Sequence, residues 1–287
     1  MKIIKYFIQF LIIVLLFGIF KIIGARRSSN FCGLIVSKIG PIFRSKKVID
    51  FNLSIAFPEL SIKQKEQIKK KMWFNYGRML GEYIFLKNFR YSSLSQNVEI
   101  EGKEILENIK KDSTPVIFIS GHFNNFELMA MQIEKIGINL AAIYRPLNNI
   151  FLNPIMENIR EKYICKNQIK KGISGTKQSL KFFKNGTSIA LMIDQRVSQG
   201  IKSKFFRKDC FTTSIPAQFV KKFQCKIVPI YIERTEKINF KMKIYEPIKF
   251  ANLDSTEFIT RELNKILEKM IKLNPDQWIW THNRWKE

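Results

Sequence analysis

From Val98 onward, short runs of β-branched and aromatic residues alternate with segments of helical period, and this alternation restricts the fold more than any other feature. Val98-Glu-Ile100 begins a strand, and Lys103 to Lys110 reads as a helix. Val116 to Ile119 forms a buried strand, after which Phe126, Met129, Ala130 and Ile133 fall at helical spacing. A strand over Leu140 to Tyr144 stops at Arg145-Pro146, and helices follow over Phe151 to Cys165 and Ser174 to Lys184, the second closed by Gly186. Thr187 to Ile193 is a buried strand ending in Asp194. Thr212-Thr-Ser214 then caps a helix with Pro216 in its first turn, Lys226 to Ile232 and Phe240 to Tyr245 are strands, and a last helix spans Ser255 to Leu273. The pattern predicts an α/β fold, a mostly parallel central sheet flanked by helices. Ligands of such sheets meet the carboxyl ends of the strands, which places His122, Arg145 and Asp194 on one rim.

His122 stands where the strand breaks at Gly121, with Glu127 five residues on. Within one helix, positions five apart point about 140° away from each other. Glu127 therefore faces His122 only if the histidine precedes the helix and the chain bends back, which a glycine at 121 permits. A carboxylate behind an imidazole fixes its tautomer and stabilises the imidazolium, making the ring a competent base toward a hydroxyl. There is no Gly-rich phosphate loop and no GxSxG elbow, so nucleotide and serine-hydrolase chemistries lose ground.

Charge and hydropathy narrow the setting. Lys plus Arg outnumber Asp plus Glu 49 to 24, a net +25 that implies an anionic partner, although the abundance of Lys, Ile, Asn and Phe accounts for part of the excess as coding bias. A membrane-tethered nucleic-acid binder would need basic and aromatic residues interleaved on a recognisable module, and the chain has none, so nucleic acid is not the expected partner. The four cysteines are widely spaced, without CxxC or His pairing, which indicates a reducing compartment and no metal site. Tyr6 to Phe20 carries no charge, and the apolar run reaches Ala25 if Lys21 snorkels, about the 20 residues a bilayer span needs. No small-residue cleavage site precedes Arg26-Arg27, so residues 1–27 read as an uncleaved transmembrane anchor helix and residues 28–287 as the functional domain. The basic body and unpaired cysteines favour a single-pass protein with that domain on the cytoplasmic side. Phe31 to Phe43, which contains Pro41, is too short to span and is expected along the membrane or in a groove.

The ordered set Gly121-His122-x4-Glu127, Tyr144-Arg145-Pro146, Arg160, Asp194-Gln195, Phe205-Phe206, Thr212-Thr213, Val228-Pro229 and Pro275-Asp-Gln-Trp-Ile-Trp-Thr-His282 resembles the bacterial lipid A late acyltransferases, the lauroyl and myristoyl transferases. Asn52-Leu-Ser-Ile-Ala-Phe-Pro58, Gly77-Arg78 and Glu82 extend the likeness toward the amino terminus, so that it covers nearly the whole chain. His-x4-acid alone is shared with the wider glycerolipid acyltransferase group.

The resemblance implies O-acyl transfer from acyl carrier protein to a hydroxyl of a lipid A precursor at the inner membrane, with no cofactor. It carries over His122 as base, Glu127 as its orienting acid, Arg160 as a charge-stabilising group and Asp194 as an organising one. Gly121, Arg145, Lys170, Lys171, Thr212 and Thr213 are candidates for substrate binding. Arg207 after Phe205-Phe206, and Ile215-Pro216 after the threonines, replace glycines common in the family, which leaves chain length and acceptor hydroxyl open. Another membrane lipid as acceptor, a thioesterase, and a non-catalytic basic membrane-tethered binding protein remain alternatives.

Overall fold

The computed structural model describes residues 2–286. Four helices lead the chain: α1 (Lys2–Ile23), α2 (Ala25–Phe43), α3 (Lys46–Ala56) and α4 (Ile62–Glu82). Ser61 starts α4 with a capping box, its side chain accepting from Gln64 N while the Gln64 side chain accepts from Ser61 N. α1 is long and apolar enough to cross a membrane. The short apolar stretch around Pro41 proves to be the second half of α2, which packs against α4. Glycines let these two helices approach backbone to backbone, since a Cβ on Gly77 would lie 2.4 Å from the Cys32 carbonyl oxygen and one on Gly81 would lie 2.5 Å from that of Ser28.

The rest builds the sheet. In chain order come α5 (Leu86–Tyr91), β1 (Val98–Glu101), α6 (Lys103–Asp112), β2 (Ile117–Ser120), α7 (Glu127–Lys135), β3 (Leu140–Tyr144), α8 (Leu152–Tyr163), β4 (Asn167–Lys170), α9 (Ile173–Lys184) and β5 (Ser188–Met192). A hairpin of β6 (Ile201–Phe205) and β7 (Lys208–Thr212) follows, then α10 (Ile215–Phe223), β8 (Ile227–Glu236), β9 (Asn239–Ile244) and α11 (Thr256–Leu273). Seven strands pair in the order β1-β9-β8-β2-β5-β3-β4, parallel throughout except for the β8–β9 pair. The core strands are dry: Ile117, Phe118 and Ile119 of β2, Ile189 of β5 and Ile227 and Val228 of β8 are all buried. Burying such side chains stabilises the fold by about 1.5–3 kcal/mol each.

Two local readings are corrected. Thr212 does not cap a helix: it ends β7, Ser214 occupies the N-cap position of α10 without a side-chain cap, and Thr213 Oγ1 accepts from Ile215 N at 3.4 Å. β4 and the β6–β7 hairpin were not visible as strands. β4 is an edge strand of polar composition, Asn-Gln-Ile-Lys. The hairpin turns on Phe206 and Arg207 at φ of 48° and 66°, a two-residue left-handed turn for which Asn-Gly is the usual sequence.

Candidate active site

Strand register brings the first pair of functional groups together. β2 and β5 run parallel with Ser120 opposite Met192, and Ile193 N donates to Ser120 O at 2.9 Å. Two residues further on, the same register sets His122 beside Asp194. The chain leaving β2 crosses to β3 on one side, whereas the chain leaving β5 reaches β8 on the other, so this pair occupies the switch point of the sheet. His122 Nδ1 lies 2.8 Å from Asp194 Oδ1, and His122 N donates to Asp194 Oδ2 at 2.8 Å. Trp278 Nε1 donates to the same Oδ2, also at 2.8 Å. An ionised carboxylate only accepts, so Nδ1 carries the ring proton and Nε2 is left as the basic atom.

The electrostatics of the pair follow from its burial, with the His122 ring 22% exposed and Asp194 2%. Desolvation alone would lower the histidine pKa, but the charge and hydrogen bond of Asp194, with a smaller push from the Glu127 charge, raise it above its ordinary value. Burial likewise works against the ionised Asp194, and the His122 charge together with the three donated hydrogen bonds lowers its pKa below the usual carboxylate range.

Glu127 makes no hydrogen bond to His122, which corrects the expected pairing. It opens α7, and its Oε1 accepts from Arg160 Nε at 3.0 Å and Nη2 at 2.6 Å. Arg160 projects from α8 and stacks its guanidinium on the Tyr144 ring at 5.3 Å. Arg160 is thus committed to Glu127 and Tyr144, and Glu127 reaches His122 through space rather than by a hydrogen bond. Gly121 is not the bend either: the left-handed residue of the turn is Asn124, at φ 40°. Gly121 instead sits in a crowded place, where a Cβ would stand 3.0 Å from Phe123 Cε2 and 3.1 Å from Leu267 Cδ1.

The turn carrying His122 is held from two directions. Asn124 N donates to Gln277 O at 2.8 Å and its side chain to Gln277 Oε1 at 2.9 Å, while Phe123 bridges to Trp278. Asn125 Nδ2 donates at 3.0 Å to Glu82, a carboxylate 0% exposed that also accepts from Ser29 Oγ and Arg234. Phe126 packs against the imidazole at 4.8 Å between ring centres.

His122, Glu127 and Arg160 line a cavity of about 470 Å³. Its interior is apolar, formed by Phe118, Met129, Ala130, Ile133, Ala142, Ala190 and Ile230 among others. Arg145, Lys171 and Thr213 also line it, and neither cation has a carboxylate partner among the described residues. Partial burial, and then the Arg145 charge, hold the Lys171 pKa below its ordinary value. Lys170 does not belong to the cavity: it pairs with Glu157 at 3.3 Å and is 63% exposed. Thr212 is excluded as well, being buried where it accepts from Arg284 Nη2 at 2.6 Å and contacts Asn264. Trp278 is the group that sequence reasoning missed. Its signal was the tryptophan-rich carboxyl segment, since a buried indole N–H needs a partner, and here that partner is Asp194.

The chain matches the bacterial lipid A biosynthesis acyltransferase family over residues 1–287. It belongs to that family. Similar curated proteins include lipid A biosynthesis acyltransferase 2 of Shigella flexneri, 24% identical over 83% of this chain and 76% of that one. The lipid A biosynthesis lauroyltransferase of Escherichia coli is 23% identical over 89% and 83% of the two chains, and the myristoyltransferase of the same organism is 22% identical over 86% and 76%. A solved 1-acyl-sn-glycerophosphate acyltransferase, PlsC from Thermotoga maritima, aligns at 14% identity and a TM-score of 0.39, covering 88% of this chain and 99% of that one. In this lipid A biosynthesis acyltransferase, His122, Arg145, Lys171 and Gln195 reach the cavity just past the carboxyl ends of β2, β3, β4 and β5, and its interior is hydrocarbon-like.

Proposed function

We propose that this acyltransferase moves a fatty acyl chain from an acyl carrier protein thioester to a hydroxyl of a lipid A precursor at the cytoplasmic face of the inner membrane, with His122 as general base and Asp194 as the group that orients it. The observation that carries the reading is an imidazole with a free Nε2, backed by a buried carboxylate, beside an apolar cavity of about 470 Å³. Such a cavity is within the usual size range for ligand sites and suits an alkyl chain.

The acceptor hydroxyl gives its proton to Nε2 as its oxygen attacks the thioester carbonyl carbon. The tetrahedral intermediate collapses by breaking the C–S bond, and the departing thiolate takes the proton back from Nε2. Asp194 stabilises the imidazolium between these steps, so no covalent enzyme intermediate is needed. Glu127 adds negative charge near the imidazolium, and Arg160 holds Glu127 in place. Arg145 and Lys171, without a carboxylate partner among the described residues, are suited to a phosphate of the donor or the acceptor.

The test is incubation of purified enzyme with acyl carrier protein thioester, with and without lipid A precursor, reading products by mass spectrometry. Acylated lipid is expected from the wild type and none above background from His122→Ala, with both proteins folded by circular dichroism. Free fatty acid as the main product in both incubations would instead identify a thioesterase. With a net charge of +25 against an acidic carrier protein, kcat/KM should also fall as salt rises from low to physiological ionic strength. A flat salt profile would remove the electrostatic role.

A further inference from the structure

α2 turns its small residues inward and its large ones outward, the reverse of a helix whose outer face meets water. Ser28, Ser29, Gly33 and Gly40 form its buried side against α4, where the two glycines leave room for Phe74 and Trp73. Phe31, Leu34, Ile35, Ile39, Ile42 and Phe43 are all exposed, Ile42 at 79% and Phe43 at 74%. At about 100° per residue these six occupy the half of the helix opposite Ser29, Gly33 and Gly40. Single apolar side chains on a surface are ordinary, whereas a continuous face of them marks an interaction surface.

The surrounding charge identifies what that face meets. Before Asp50 the chain holds no Asp or Glu. Arg26 and Arg27 stand at one end of α2, and Arg44, Lys46 and Lys47 lie just past the other, all exposed. An apolar strip between two cationic clusters fits a phospholipid leaflet, with hydrocarbon against the strip and phosphates at either end. A symmetric contact with a second copy would instead bring like charges together. Chain continuity points the same way. α1, long and apolar enough to cross a membrane, runs into α2 through Gly24 at φ 81°, and the Phe20 and Phe31 rings of the two helices are 6.3 Å apart.

We infer that α2 lies in the plane of the membrane, its outward face sunk about 5–10 Å to the boundary between headgroups and acyl chains, while α1 supplies the span. The buried side of α2 then links this surface to the catalytic turn. Ser29 Oγ donates to Glu82 at 2.7 Å and accepts from Arg78 Nε at 3.0 Å, and Asn125, in the turn that bears His122, donates to the same carboxylate. One buried network therefore fixes that turn relative to the membrane plane. The placement rests on α2 and stands whatever the reaction.

The test is depth-dependent quenching in the full chain reconstituted into phospholipid vesicles. Leu34→Cys and Ile42→Cys, with Glu107→Cys on the exposed side of α6 as reference, are made singly on a Cys32→Ala background, in which the other cysteines are buried. Each is labelled with bimane, and circular dichroism checks that it is folded. Lipids brominated near the glycerol end of the acyl chain should quench the probes at 34 and 42 at least about threefold more than the probe at 107, and more than lipids brominated near the chain end do. Stronger quenching by the deeper bromines would mean that α2 is immersed in hydrocarbon rather than lying at its edge. Quenching no greater than at 107 would place the face in water or under protein, and a bifunctional maleimide that joins two Ile42→Cys chains would then identify a second copy as the cover. Either result overturns the inference. The readout needs no turnover, so an inactive enzyme leaves it intact.

Discussion

Asp194→Asn should lower kcat by about 10²- to 10⁴-fold, the range typical of a positioned general base, and should move the acid limb of the pH profile to lower pH. The carboxylate accepts three hydrogens, from His122 Nδ1, His122 N and Trp278 Nε1. An amide has only one acceptor oxygen. If that oxygen faces Nδ1, the new NH2 meets the two other donors. If it faces them, the NH2 meets Nδ1 and forces the proton to Nε2, the tautomer that cannot accept from a hydroxyl. The sign of the pH effect follows from the raised pKa of His122. The base must be neutral, so activity falls as pH drops through that pKa, and removing the Asp194 charge lowers it. Glu127→Gln should move the limb less, since Glu127 reaches the ring only through space. Profiles of kcat/KM for wild type and both variants decide the matter: a larger shift in Glu127→Gln than in Asp194→Asn would return the orienting role to Glu127.

His122, Asp194, Arg145 and the sheet that aligns them were legible because buried parallel strands are continuous apolar runs whose ends show in the sequence. Which carboxylate faces His122 was not. That choice depends on the register of β2 against β5, in which Ser120 faces Met192, and on Glu127 being claimed by an arginine 33 residues away. That Lys170 ends a strand, β4, was hidden by the polar composition of that strand. The role of Gly121 was misread for a related reason: the space it vacates is filled by Phe123 and by Leu267 of α11, a contact that no local pattern encodes. Trp278 stood within a segment already singled out, but its N–H acquires meaning only once Asp194 is placed opposite.

Glu82→Ala should destabilise the protein by about 3–5 kcal/mol, the cost of leaving a buried charge without its partner. Arg234 donates to both Glu82 oxygens, at 2.6 and 2.9 Å, and its side chain is 3% exposed. Its remaining support is the Lys237 carbonyl at 2.7 Å and the face of Phe240, 4.4 Å away. A second guanidinium stands close by: burial and the Arg234 charge lower the Arg78 pKa to about 10, with Glu82 opposing them. Removing Glu82 therefore leaves two buried cations facing each other. Urea unfolding should register the loss in the midpoint, and Glu82→Met with Arg234→Met together should recover most of it, since an apolar pair needs no counter-charge. A single variant within about 0.5 kcal/mol of wild type would mean that water reaches the site and screens Arg234. Activity separates a second role from the first. Asn125, one residue before the Phe126 ring that packs on His122, donates to Glu82, so the double variant should regain stability but not the full kcat. Since Glu82 also accepts from Ser29 at 2.7 Å, this one carboxylate ties α2 to the turn that carries the base, and its loss should loosen the site even where the fold survives.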